Sequence, residues 1–275
     1  MTSADRAWPG SVVTSPSNAR VKALAAVRKR RHRDRGDTTV VEGREEVLLA
    51  LESGVVPREF WHSPDFDRPV PGDVLDRLTA LGVDLVQTSQ EAFEKFAYRE
   101  SPDGWLAVVP APGRQLDQLE LGDAPLLVVC EAVEKPGNLG ALLRTADAAG
   151  VDAVISADPR SDWGNPNVVR ASKGTVFSVP IAAADTDAVL AWLRAHGVTV
   201  VVGTPDATDL YTGVDLTGPV AIVVGTENQG VTTAWRAAAD LSVRIPMHGR
   251  ADSLNVATSA ALLVYEAVRQ RGLGG

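Results

Sequence analysis

From Leu126 to Arg271 short apolar runs alternate with amphipathic ones, and this alternation restricts the fold more than any other feature of the chain. LLVVCEAV, VDAVIS, VTVVVGTP and VAIVVG are nearly continuous apolar runs, as expected of strands covered on both faces. GALLRTADAAG, DAVLAWLRAHG and TTAWRAAAD read as helices between them, and SLNVATSAALLVYEAVRQR as a long closing helix. NPNVVRASKG is expected to hold one more helix, and TVFSVPI and LSVRIPM two more strands. Strand and helix succeed each other throughout, so residues 123–275 are expected to form an α/β domain, a parallel sheet with helices on both faces.

The first part of the chain repeats the alternation on a smaller scale. TTVVEG, REFWHS, VDLVQTS and GWLAVVP read as strands, and REEVLLALESG and DVLDRLTALG as helices. Residues 1–109 are therefore expected to be a smaller N-terminal α/β domain, its first 17 residues a loose polar arm. The stretch 110–122, rich in Pro, Gly and acids, reads as the linker.

Charge is distributed unevenly. The chain holds 27 Lys and Arg against 35 Asp and Glu, a net −8. Yet Arg20, Lys22, Arg28, Lys29, Arg30, Arg31, Arg33 and Arg35 fall within sixteen residues that contain one acid, Asp34. Such a cluster is either a phosphate-binding patch on a protein that elsewhere repels polyanions, or a solvated helix face. One cysteine, Cys130, excludes an internal disulfide, and four scattered histidines have no metal-ligand spacing, so no metal is expected. No apolar run is long enough for a bilayer and no secretory pattern opens the chain, so a cytoplasmic protein without a membrane partner is expected.

Three loops follow apolar strands, where open α/β sheets bind ligands. In the first, Pro136-Gly137-Asn138 is expected to turn, Gly140 to admit close backbone approach, and the helix to carry Arg144, a guanidinium that needs an anion if buried. In the second, Gly225 and Gly230 bracket Glu227 and Asn228. In the third, Ile245-Pro246-Met247 ends a strand and Ser253-Leu254-Asn255 opens a helix, with Ser253 a possible cap. A nicotinamide dehydrogenase would share the alternation but needs GxGxxG after its first strand, which this chain lacks. A non-catalytic RNA-binding protein would keep the basic patch without Asn138, Arg144 or the Ser253–Asn255 loop.

Asn138, Gly140 and Arg144, then Gly225, Glu227 and Gly230, then Ile245, Pro246 and Met247 with Ser253, Leu254 and Asn255, resemble in order and spacing the three motifs of the SpoU family of RNA ribose methyltransferases, of the SPOUT class. SPSNARVKALAAVRKRRHR and VVEGREEVLLAL are similar to the substrate-binding domain that many members carry, a ribosomal L30-like fold. The resemblance implies a C-terminal deep trefoil knot that binds S-adenosylmethionine, with Gly225, Ile245 and Leu254, and also Thr204, Met247 and Asn255, at the cofactor. It implies a catalytic set of Arg144, Asn138, Glu227, Ser253 and Asn255. Arg144 would clamp a phosphate and steady a developing alkoxide, since a guanidinium holds its proton too tightly to be a good base. Ser253 would bond the 2′-oxygen or only cap its helix.

The resemblance also implies a homodimer. Ala260, Leu263 and Val264 on the closing helix would then form either its surface or an internal core stripe. The substrate implied is 23S ribosomal RNA, with protection of an antibiotic producer as one role and transfer RNA as the alternative. Arg20, Lys22, Arg28, Lys29, Arg30, Arg31 and Arg33 would contact its phosphates. Trp61, Phe66, Phe93, Phe96 and Tyr98 would stack on bases or fill the core.

Overall fold

The computed structural model describes residues 7–27, 37–226 and 229–272, which divide into two compact units. The basic residues Arg28, Lys29, Arg30, Arg31 and Arg33, and Glu227, lie outside the described residues.

Unit 1 comprises residues up to 112 and the later segment 163–178. Its elements are β1 (Ser11–Val13), α1 (Ala19–Ala26), β2 (Thr38–Glu42), α2 (Arg44–Glu52), β3 (Glu59–His62), α3 (Gly72–Ala80), β4 (Asp84–Thr88), α4 (Gln90–Phe96) and β5 (Trp105–Pro110). The strands form one sheet in the order β1-β4-β3-β5-β2, parallel across β1, β4 and β3 and antiparallel from there on. The arm expected over residues 1–17 is not loose in its second half. Ser11–Val13 pairs with Val86–Thr88, and Val13 packs into the core with Val21 and Leu24 of α1. Three residues are too few to show a period, and the edge of β4 supplies the pairing that makes them a strand.

Unit 2 opens with β6 (Leu126–Glu131), α5 (Pro136–Ala149) and β7 (Ala153–Ala157). The chain then leaves for unit 1, where α6 (Pro166–Ala171) packs on β2 and the Thr39 hydroxyl donates to the Gly164 carbonyl. It returns as β8 (Ile181–Ala184), α7 (Thr186–Ala195), β9 (Thr199–Gly203), β10 (Asp209–Leu210), β11 (Val220–Val224), α8 (Thr233–Ala238), β12 (Leu241–Arg244) and α9 (Val256–Gly272). The strand expected at TVFSVPI begins later than its apolar letters do. Gly174, at φ +87°, breaks the chain, Thr175–Phe177 is a 3-10 turn, and β8 starts only after Pro180.

All seven strands are parallel, in the order β10-β12-β9-β11-β6-β7-β8. Leu127, Val129, Ala221 and Val223 face Val189 and Leu193 of α7 and Trp235 of α8. On the other face α9 packs on β6, β9, β11 and α5, with Leu263 against Gly203. Both faces are thus covered, and each fully buried Val or Leu contributes roughly 1.5–3 kcal/mol. The expected linker is no free tether. Arg114 donates its amide to Ile181 at 2.8 Å, and Leu116, Leu119 and Leu121 join the unit 2 core.

Candidate active site

α5 starts at Pro136, so the expected Pro136-Gly137-Asn138 turn is the helix's first turn. Proline at the first helical position has no amide to leave unpaired. Asn138 thereby faces out at the end of β6. Arg144 is exposed rather than buried and lines none of the three cavities at this sheet end. Six residues place it roughly 9 Å along the axis and about 120° around it from Asn138.

The second loop closes on itself. The Thr226 amide donates to the Gly230 carbonyl at 3.1 Å, and the Gly230 amide donates back to the Thr226 carbonyl at 2.9 Å. Gly230 sits at φ +64°, and a Cβ on Gly225 would overlap the Gly230 carbonyl, so one glycine is required by conformation and the other by space.

In the third loop the helix start differs from expectation. α9 begins at Val256, and Asn255, not Ser253, caps it: Asn255 Oδ1 accepts from the Ala257 amide at 3.0 Å and its carbonyl accepts from the Ser259 amide at 2.9 Å. Its remaining polar group, Nδ2, donates to Asn138 Oδ1 at 3.1 Å, tying the third loop to the first. Ser253 is exposed.

Between the second and third loops lies a cavity of about 390 Å³. Thr204, Gly225, Ile245, Met247 and Leu254, all expected at a cofactor, line it, as does Ser253. Asn255 stands outside that lining, next to Asn138, which borders a smaller cavity of about 200 Å³ with Lys135, Thr226, Gln229 and Val256. The larger cavity has the size of small-molecule sites and a mostly apolar wall. Thr204 Oγ1 is buried in that wall without a hydrogen-bond partner. Sequence reading missed Asp206 and Arg236, which also line the cavity and pair at 3.0 Å. They stand thirty residues apart in no motif, and only the packing of α8 beside β9 joins them.

In unit 1, Lys22 is exposed. Arg20 is already engaged: its guanidinium pairs with Glu59 at 3.0 Å and Asp84 at 2.6 Å and lies 5.1 Å from the Trp61 ring centre. These bonds compete with the phosphate contact expected of it. Trp61, Phe93 and Phe96 are fully buried core residues, while Phe66 and Tyr98 pack against that core half-buried.

No helix among the described residues is long and apolar enough to cross a membrane. Residues 18–107 match an MRM3-like substrate binding domain. The chain is 31% identical over 253 residues to the 23S rRNA (guanosine(2553)-2′-O)-methyltransferase RlmP of Bacillus subtilis, covering 92% of this chain and 97% of that one. It is 32% identical over 262 residues to the 23S rRNA (uridine(2479)-2′-O)-methyltransferase of Streptomyces viridochromogenes, covering 92% and 91%. Among solved structures, the AdoMet-bound rRNA methyltransferase of Sinorhizobium meliloti superposes with a TM-score of 0.87 at 30% identity, covering 94% of this chain and 97% of that one. With the SpoU rRNA methylase family matching over residues 125–265, the chain belongs to that family.

Proposed function

We propose that the protein methylates a ribose 2′-hydroxyl of 23S ribosomal RNA with S-adenosylmethionine as donor. The observation that carries this reading is that the second and third motif loops line one cavity, while Asn255, which caps the helix after the third loop, bonds Asn138 of the first loop on the adjoining cavity. The names of both relatives, one acting at a guanosine and one at a uridine of 23S rRNA, support the substrate class.

The cavity's chemistry fits the donor. Ile245, Met247 and Leu254 offer an apolar wall for adenine, Gly225 allows backbone approach, and the Thr204 hydroxyl lacks the partner a polar ligand would bring. The donor supplies a methyl group already activated by its sulfonium charge, so the protein's task falls on the acceptor. That hydroxyl becomes a good nucleophile only as it loses its proton. Asn138 and Asn255, held to each other, orient the ribose. Arg144 binds the neighbouring phosphate through its guanidinium and stabilises the negative charge growing on the 2′-oxygen. The proton then leaves through phosphate or water. Glu227, outside the described residues, keeps its expected place in the catalytic set, and Ser253, freed of capping, bonds the 2′-oxygen.

The domain plan is part of the proposal: an L30-like RNA-binding domain at 1–109, joined by 110–122 to a catalytic domain at 123–275, with segment 163–178 of the latter belonging to the first compact unit. Lys22 and the basic residues beyond it would hold RNA phosphates. A deep trefoil knot in the C-terminal part is supported by the course of the chain. It runs out to β12, on the side of β9 away from β11, and comes back to α9 across β9, β11 and β6. We also propose a homodimer in the cytoplasm. Ala260, Leu263 and Val264 are buried within the chain's own core, so exposed Leu262 and Tyr265 are the α9 residues offered for that contact.

The test is Arg144→Ala. Mapping of 2′-O-methyl sites in ribosomal RNA should show one site lost from cells carrying the variant, while calorimetry shows donor affinity within about twofold of the parent. Equal loss of methylation and donor binding contradicts the role given to Arg144.

A further inference from the structure

A third cavity opens at the same strand ends. About 480 Å³ in volume, it is bounded by Glu131 and Ala132 at the end of β6, by Asp158 and Arg160 beyond β7, and by Thr226, Gln229 and Thr232. Thr226 and Gln229 also border the donor cavity and the small cavity at Asn138, so all three spaces meet at one turn. Nothing in the reaction as derived uses this third space.

Its wall holds an unanswered acceptor. Glu131 is 2% exposed, and its Oε2 accepts from the Thr232 amide at 2.7 Å, while its Oε1 is buried with no hydrogen-bond partner. Leaving such an oxygen unpaired is unfavourable, more so when charged, and a donor arriving with a ligand removes that penalty. The Asp158 carboxylate is satisfied by the Thr186 amide at 3.2 Å and the Thr186 hydroxyl at 2.7 Å. Arg160 stands exposed at the rim.

Two carboxylates beside one guanidinium repel a phosphate, so the phosphodiester is the wrong occupant. What fits is a group with an N–H for Glu131 next to a carbonyl for Arg160. Guanine and uracil carry that pair on their Watson–Crick edges, a protonated ring nitrogen beside a keto oxygen. Adenine and cytosine have a bare ring nitrogen at that place. Resting on the methyl-transfer reading, we infer that this cavity receives the base of the nucleotide being methylated and selects a keto base through Glu131 and Arg160. A nucleoside whose ribose lies at Asn138 reaches the cavity by turning its base around Thr226 and Gln229.

The experiment uses four transcripts of the mapped ribosomal site that differ only at the target base, and reads kcat/KM for each. The unaltered protein should favour guanine or uracil over adenine and cytosine by about tenfold or more, the discrimination expected of one paired hydrogen-bonding edge. Glu131→Gln keeps an acceptor for the Thr232 amide and should compress that preference to about threefold or less, with donor affinity by calorimetry unchanged. Should Glu131→Gln fail to fold, Arg160→Ala at the exposed rim decides, and a compressed ranking is expected there too. An unaltered protein that methylates all four alike, or a ranking that persists in the folded variants, overturns the inference. A protein that neither binds donor nor methylates any transcript overturns the proposed function instead.

Discussion

Replacing Thr204 by valine should stabilise the protein and weaken its hold on the donor at once. Valine has nearly the same shape, so the substitution removes one buried hydroxyl and leaves the backbone bond from the Thr204 amide to the Val243 carbonyl, 2.9 Å, untouched. Thr204 is 9% exposed and its Oγ1 has no partner. An unpaired buried hydroxyl is unfavourable by about 1–3 kcal/mol, and taking the low end, the ligand-free variant gains about 1 kcal/mol. For a domain of this size that raises the melting temperature by about 2–4 °C. When donor is bound, the same hydroxyl is expected to be paired, and its loss weakens binding by about 1 kcal/mol, or roughly fivefold in Kd. Scanning calorimetry without donor and with saturating S-adenosylmethionine tests both halves: the variant starts higher and gains less. A ligand-free melting temperature that is unchanged or lower, together with an unchanged Kd, would refute the reasoning.

Gly225→Ala should cut donor affinity by more than about tenfold in calorimetric titration, because the new methyl overlaps the Gly230 carbonyl and the turn must open. Burial pushes the Cys130 thiol from 9.0 up to about 12, so the folded state keeps its proton after the unfolded chain has released it. Stability should therefore be unaffected by this group below pH 9.0 and fall by about 1.4 kcal/mol per pH unit from there toward pH 12, a slope that melting curves of Cys130→Ala should lack. Ala132 sits in the left-handed region at φ +49°, a strain of roughly 1–2 kcal/mol that glycine relieves while giving back about 0.4–1 kcal/mol in the unfolded chain. Ala132→Gly should then melt slightly higher, and a lower melting temperature would show that the alanine methyl makes a contact worth more than the strain.

Periodicity carried the parallel sheet because buried strands must be apolar on both faces, and the motif glycines located the cavity because their backbone demands are local. What could not be read was set by packing across long separations. Ser253 and Asn255 are both good caps in isolation; the choice of Asn255 depends on where Leu254 turns into the cavity and on Asn138, 117 residues away. Whether Arg144 is buried was left open by its place after a motif loop; helix phase turns it outward once α5 starts at Pro136, a start that the proline itself signals. The pairing of Asp206 with Arg236, and the orphan oxygens of Glu131 and Thr204, have no local signature at all.

The excursion of residues 163–178 has a consequence for taking the protein apart. Because α6 covers β2, and Gly174 lies against Leu49, a fragment ending near residue 112 would expose part of its own interior. The remaining fragment would carry an orphaned apolar loop. A front end for a new RNA target therefore cannot be exchanged by one cut near residue 112: the graft must bring its matching piece from the middle of the chain.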